Sequence, residues 1–186
     1  MKFFHSSLAK LSLRPLLLRR SLTSSSRFFL VDHDWKNYPL KFKDFSSHDV
    51  ISSIAPSLEI EHLSESKKKA EDVHKIKGIL YGDNLNAFAG LVLDSGLKKF
   101  DAVFMIDPGS PQTYVSEDTM KKIGLKFESG PVKLWINGVL FSVMKARADF
   151  KEFNVIGADF LWRTKSEVKI VYKEKKVEIA LGEKGE

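Results

Sequence analysis

Apolar and polar residues alternate clearly close to the C-terminus of the chain. Residues 167–172 and 176–181 each carry an apolar side chain at about every second position, and a turn rich in Lys and Glu separates them. Successive side chains of a strand point to opposite faces, so this period of two indicates strands that bury one face. The pattern therefore predicts a hairpin with one buried face at this end of the chain.

Two further hairpins are predicted upstream of it. Residues 87–106 hold two mostly apolar runs on either side of Asp94-Ser95-Gly96, a sequence typical of turns. Residues 132–143 hold two more runs around Asn137-Gly138, which is the strongest two-residue hairpin signal. These segments predict a domain that is mainly β.

Two short helices complete the predicted domain. Ser116 precedes two acidic residues, and Lys121-Lys122 lie just before Gly124, so this helix has an N-cap, charges that match its dipole and a C-terminal stop. Residues 158–162 predict a second short helix. Together with the hairpins, these elements predict a small, closed, mostly antiparallel β-barrel with one or two short helices in residues 78–186.

Residues 32–77 are predicted to be an accessory segment. Its first part shows no sustained period of two or 3.6, so we expect irregular chain. We expect that chain to pack its aromatic side chains on the domain, namely Trp35, Tyr38, Phe42 and Phe45. Residues 64–77 are rich in Glu, Lys and Ala, with apolar residues at three-residue spacing, which favours a charged helix that ends at Gly78.

Residues 1–31 have the composition of a mitochondrial presequence. They contain six basic residues, many serines and no acidic residue, with Leu and Phe between the charges. A secretory signal is the competing interpretation, but Arg14, Arg19 and Arg20 interrupt the apolar run that it requires. We therefore expect import into mitochondria, with the matrix as the destination.

Charge and composition exclude several classes of partner. Without the six presequence bases, the remaining 24 Lys and Arg balance the 24 Asp and Glu, so no basic surface for nucleic acid is expected. The chain has no apolar run near the ~20 residues that a membrane span requires. It contains no Cys, and its five His show no metal-ligand spacing, so we expect neither a metal nor a cofactor.

One acidic residue occupies a position suited to chemistry. The apolar run 102–106 leads directly into Asp107-Pro108-Gly109-Ser110, where a Pro-Gly turn presents the carboxylate. Residues 153–161 then supply an apolar-Ile-Gly-x-Asp-Phe-Leu segment. Over residues 85–181 this order of motifs resembles the retropepsin-like aspartic protease family, with Asp107 to Ser110 at the place of its Asp-Thr/Ser-Gly-Ala/Ser motif.

The resemblance implies roles for three residues. Asp107 would be the catalytic acid/base, Gly109 would allow close backbone approach, and Ser110 would form a hydrogen bond near the carboxylate. Carboxylate catalysis of peptide hydrolysis needs two acids that share a proton, and such a chain supplies one. The resemblance therefore implies a homodimer in which two Asp107 side chains meet.

Two hypotheses of different class follow. The first is a mitochondrial aspartic endopeptidase that acts as a homodimer. The second is a catalytically silent protease-fold module that binds a peptide or protein partner in a mitochondrial complex. The second hypothesis depends on Pro108, which stands where the family has Thr or Ser, and on the span between the two motifs. That span offers one clear hairpin and no Gly-rich flap, unless residues 126–131 form a reduced one.

Overall fold

The computed structural model describes residues 44–67, 75–127, 130–147 and 150–182. Ten strands are present in them: β1 Ser64–Glu65, β2 Lys75–Tyr81, β3 Asn86–Asp94, β4 Lys99–Ile106, β5 Tyr114–Val115, β6 Val132–Ile136, β7 Val139–Lys145, β8 Val155–Ile156, β9 Glu167–Val171 and β10 Lys176–Ala180. The helices are α1 Ser47–Asp49, α2 Ala55–Ser57, α3 Glu117–Lys122 and α4 Ala158–Arg163, with a π-helical turn Val50–Ile54 between α1 and α2. The predicted presequence lies outside the described residues.

Six of the strands close a barrel. The pairing runs from β4 through β8, β5, β7, β6 and β3 and returns to β4. Most pairs are antiparallel, but β4–β8 and β5–β7 are parallel. β1 extends the sheet from β4, and β2, β10 and β9 extend it from β3. The prediction of a mainly β domain with a closed barrel and few short helices is confirmed.

All three predicted hairpins form. Ala87 pairs with Ile106 across the first of them, and Asp94 pairs with Lys99 at its tip. At the second hairpin Asn137 and Gly138 have φ values of 46° and 74°, as the predicted two-residue turn requires. In the third hairpin β10 buries two of its side chains, whereas β9 has no buried position and leaves Ile170 39 % exposed. The expected buried face therefore belongs to β10 alone.

Both predicted helices form as well. The Ser116 hydroxyl accepts a hydrogen bond from the Thr119 N–H at 3.1 Å and so caps α3. The second helix, α4, begins directly after Gly157 and buries Phe160 in the barrel interior. Ile156 lies beside it on β8, and each of these two side chains is only 1 % exposed. Ile156 and Phe160 therefore anchor the segment that follows the barrel strand.

A conservative substitution measures how tightly this anchor packs. Ile156→Val removes one buried methylene, and we expect it to lower the free energy of unfolding by about 1 kcal/mol. Chemical denaturation of parent and variant gives the value. Ile170→Val on the exposed strand β9 is the matched control and should change stability by less than about 0.5 kcal/mol. Equal losses at the two positions would mean that Ile156 is not a tightly packed core residue.

The helix predicted over residues 64–77 is wrong wherever the structure describes that segment. Ser64–Glu65 pairs with β4, and β2 begins at Lys75, while residues 68–74 lie outside the described part. Gly78, expected to end the helix, pairs with both Ala89 and Val177 inside the sheet. The buried residues Ile76, Gly78 and Leu80 alternate with exposed or half-buried ones. Strands on both sides satisfy this period of two, which therefore outweighs the three-residue spacing.

Helical turns also form where irregular chain was expected. Ser46 and Asp49 make a capping box, in which the Ser46 N–H donates to Asp49 Oδ2 at 2.7 Å. The segment from α1 to α2 then packs against the barrel surface. Phe45 contacts the rings of Phe88 and Phe153, with centroids 4.9 and 4.8 Å away. This confirms the expected aromatic packing for Phe45, whereas Trp35, Tyr38 and Phe42 lie outside the described residues.

The described residues thus hold two apolar clusters. One fills the barrel interior. The other lies between the helical segment and the outer face of the barrel and contains Phe45, Val50, Ile54, Ala55, Phe88, Val103, Met105, Phe153 and Val155. Strand β4 contributes alternate side chains to both clusters, and it ends at Asp107.

Candidate active site around Asp107

The backbone of strand β4 is fixed by β8 where it approaches Asp107. The Met105 N–H donates to the Asn154 carbonyl at 2.9 Å, and the Asp107 N–H donates to the Ile156 carbonyl at 3.0 Å. Ile156 belongs to the buried anchor described above. The position of the candidate carboxylate is therefore set by a parallel strand pair whose other partner is held in the core.

Two side chains complete the edge of β4 where no strand covers it. The Val103 N–H donates to His62 Nδ1 at 3.0 Å, and the Val103 carbonyl accepts from Asn154 Nδ2 at 3.1 Å. Asn154 Oδ1 also accepts from the Ser116 N–H at 3.0 Å. Since His62 Nδ1 acts as an acceptor, the ring is neutral, and its burial lowers the pKa of His62 from 6.5 to about 4.

The turn after β4 brings the predicted residues together. Asp107 Oδ1 accepts a hydrogen bond from the Gly109 N–H at 3.0 Å, and the Ser110 N–H donates to the Asp107 carbonyl at 3.0 Å. A Cβ atom at Gly109 would lie 3.1 Å from Asp107 Oδ1, a tight contact that glycine avoids. The three residues share one turn, and their catalytic role stays a prediction.

The hydrogen bond between Asp107 and Gly109 is a common feature of turns and does not by itself define a site. At the tip of the β3–β4 hairpin, Asp94 Oδ1 accepts from the Gly96 N–H at 2.7 Å in the same way. Both acids are half-buried, and what separates them is their surroundings. Asp107 lines a pocket, whereas Asp94 lies at a hairpin tip, where its Oδ2 is 3.8 Å from Lys99 Nζ. Asp94→Asn is therefore a matched control for any experiment on Asp107.

The hydrogen bond expected of Ser110 is different from the one observed. Its hydroxyl donates to the Gln112 carbonyl at 2.8 Å rather than lying against the Asp107 carboxylate. The Ser110 carbonyl accepts from the Ala158 N–H at 2.8 Å. The Ser110 hydroxyl therefore stabilises the loop, because serine hydroxyls commonly bond to backbone groups nearby in sequence. The Ser110 carbonyl ties the loop to the start of α4.

The structure assigns an anchoring role to two residues that the sequence left without one. Thr113 Oγ1 donates to Asp159 Oδ1 at 2.7 Å, and the Thr113 N–H donates to Asp159 Oδ2 at 3.1 Å. The Gly157 N–H donates to Thr113 Oγ1 at 3.1 Å. A Cβ atom at Gly157 would collide with the Gln112 carbonyl oxygen, so glycine is required there. The Gly-x-Asp motif therefore holds the loop that carries Asp107.

A pocket of about 320 Å³ opens beside this loop. Its buried base consists of Met105 and Val155, and the half-buried Tyr114 and Phe150 form its walls. Three polar residues complete the lining, namely Asp107, Ser110 and Arg147. The pocket thus combines an apolar base with one carboxylate and one guanidinium, a composition typical of sites that bind partly apolar ligands.

Among residues 44–67, 75–127, 130–147 and 150–182, no group of three His, Asp or Glu side chains is placed to hold a metal ion. No helix in these ranges has the length and apolar character needed to cross a membrane.

Comparisons with known proteins show similarity at the level of structure. No model of a protein family matches the sequence, and no curated protein matches it. Among solved structures, the chain is similar to the crystal structure of a retropepsin-like aspartic protease from Rickettsia conorii. The TM-score is 0.42 and the sequence identity 15 %, over 60 % of this chain and 96 % of that one.

Proposed function

We propose that this chain is an aspartic endopeptidase of the retropepsin-like type, which acts as a homodimer with a shared pair of Asp107 side chains. The observation that carries the proposal is the half-buried Asp107 carboxylate at a pocket whose described lining contains no other acid. Hydrolysis by carboxylates requires two of them, one to take a proton from water and one to donate to the carbonyl oxygen. The second acid then comes from a second copy of the chain.

The hydrogen bonding of Asp107 supports this role. Oδ1 is held by the Gly109 N–H, and no described residue donates to Oδ2. In the dimer one Asp107 would be ionised and remove a proton from water as the water oxygen bonds to the carbonyl carbon. The other would be protonated and donate to the carbonyl oxygen. As the C–N bond breaks, the first Asp107 would give its proton to the amine, and the proton on the former carbonyl oxygen would return to the second Asp107, which restores the pair.

A second function is favoured by one specific residue. Pro108 is exposed and has neither a hydroxyl nor an N–H, so it cannot lock two such turns together across a dimer as Thr or Ser would. In the described residues between Val115 and Val155, the β6–β7 hairpin is the single β-hairpin. These features favour the alternative, a catalytically silent module that binds a peptide or protein partner at the same pocket.

Two measurements on the full chain separate these functions. The first is the mass in solution, and the second is cleavage of a mixture of unstructured peptides, followed by mass spectrometry. A dimer that cleaves peptides supports the endopeptidase. A monomer removes the shared-proton mechanism, and a monomer that binds peptides without cleaving them supports the alternative.

Both functions are proposed to operate in mitochondria. A fusion of residues 1–35 to a fluorescent reporter should accumulate there, because this segment combines six bases with no acid before Asp32. Replacing Arg14, Arg19 and Arg20 by Glu should leave the reporter in the cytosol, as judged by microscopy with a mitochondrial marker. Cytosolic fluorescence from the unmodified fusion would contradict the proposed location.

A further inference from the structure

The pocket beside Asp107 has a continuous apolar lining from three neighbouring strands. Met105 on β4 pairs with Val155 on β8, and Val155 pairs in turn with Tyr114 on β5. Register partners on adjacent strands place their side chains side by side on one face. Phe150 closes this row. The resulting surface is suited to a bulky apolar side chain.

Arg147 contributes a positive charge at the rim that no described residue neutralises. Its side chain is exposed and makes no ion pair or hydrogen bond within the described ranges. Lys145, two residues earlier, is instead bound to Glu117 at 2.6 Å. A guanidinium presents a planar pair of donors that matches a carboxylate, so an unpaired arginine on a pocket is a ready partner for an acidic group.

The two features together specify a ligand. We propose that the pocket selects peptides that carry an acidic side chain two positions away from a bulky apolar one, and that Arg147 reads the acidic side chain. In an extended peptide, residues two apart point to the same side, so the second side chain reaches the rim when the first enters the pocket. This inference rests on the proposed function, cleavage or binding of a peptide at the Asp107 pocket.

The test compares short blocked peptides that have Phe at the centre and Ala elsewhere. Each carries Glu, Gln or Lys either two positions before or two positions after Phe. Dissociation constants for the full chain are measured by fluorescence polarisation. At one of the two positions Glu should bind about tenfold more tightly than Gln, the scale of one charge-assisted pair, and Lys should bind more weakly still.

Substitutions at Arg147 assign this preference to the arginine. Arg147→Gln should equalise the Glu and Gln peptides, and Arg147→Glu should favour the Lys peptide. Lys133→Gln is the control, because it removes one positive charge from the exposed face of β6, away from the pocket lining. Binding without a Glu preference, or a preference that persists in Arg147→Gln, overturns the inference and leaves the proposed function intact. Failure to bind any of the peptides overturns both.

Discussion

Asp107→Asn should reduce peptide cleavage by the full chain by about a hundredfold to ten-thousandfold, the range that one acid/base group contributes. In the parent the Gly109 N–H donates to Asp107 Oδ1 at 3.0 Å. An asparagine Oδ1 can accept the same hydrogen bond, so the turn should keep its shape. The variant loses only the ability to take up and release a proton. Cleavage is measured as kcat/KM on a peptide that the parent cleaves.

Asp94→Asn is the control for this loss. Its Oδ1 makes the same contact with the Gly96 N–H at 2.7 Å, yet Asp94 does not line the pocket. We expect full activity from Asp94→Asn and no loss of thermal stability in either variant. In addition, two carboxylates that meet at a dimer axis repel each other, so Asp107→Asn should associate at least as tightly as the parent. Retained cleavage in Asp107→Asn would exclude Asp107 as the catalytic acid.

The Asp107 turn could be predicted because its determinants are local. An apolar strand followed by Asp-x-Gly contains all that the turn requires, and the observed Asp107–Gly109 contact spans two residues. The hydroxyl of Ser110 was placed wrongly because its acceptor, the Gln112 carbonyl, is a backbone atom that no residue type reveals. Local sequence therefore located the candidate carboxylate but not the hydrogen bonds around it.

The hydrogen bonds between Thr113 and Asp159 could not be predicted, because the two residues are distant in sequence. Thr113 and Asp159 are 46 residues apart, and only the closed barrel brings the loop and α4 together. The Gly-x-Asp motif was visible as a pattern, but nothing in the chain indicated that Thr113 would satisfy its carboxylate. A threonine at the end of a loop has many possible partners, and tertiary structure chooses among them.

The misplaced helix at residues 64–77 has a related cause. A three-residue apolar spacing, which favours a helix, overlaps near Ile76 with a period of two, which favours a strand. The outcome depends on whether neighbouring strands are available on both sides. Strands β3 and β10 flank β2 there, so pairing decides the outcome. In contrast, the capping box of Ser46 and Asp49 was present in the sequence and marks the start of α1.

Acid should weaken the fold through His62. Its pKa is lowered to about 4 in the folded protein, whereas in the unfolded chain it returns to about 6.5. Between these values the unfolded chain binds a proton that the folded protein does not, so the free energy of unfolding decreases as the pH falls. The contribution of His62 is fully present above pH 6.5 and is lost towards pH 4, a change of about 3 kcal/mol.

His62→Asn isolates this effect, because an asparagine oxygen can accept from the Val103 N–H without titrating. Between pH 7 and pH 5 we expect the stability of the variant to decrease much less than that of the parent, as measured by denaturation at each pH. Glu152 lines the same small cavity as His62 and is present in both proteins, so the comparison of the two slopes removes its contribution. His48→Asn, on the exposed helix α1, should keep the slope of the parent. If His62→Asn also keeps that slope, the Val103 N–H is not held by a neutral imidazole, and strand β4 reaches Asp107 without the support of His62.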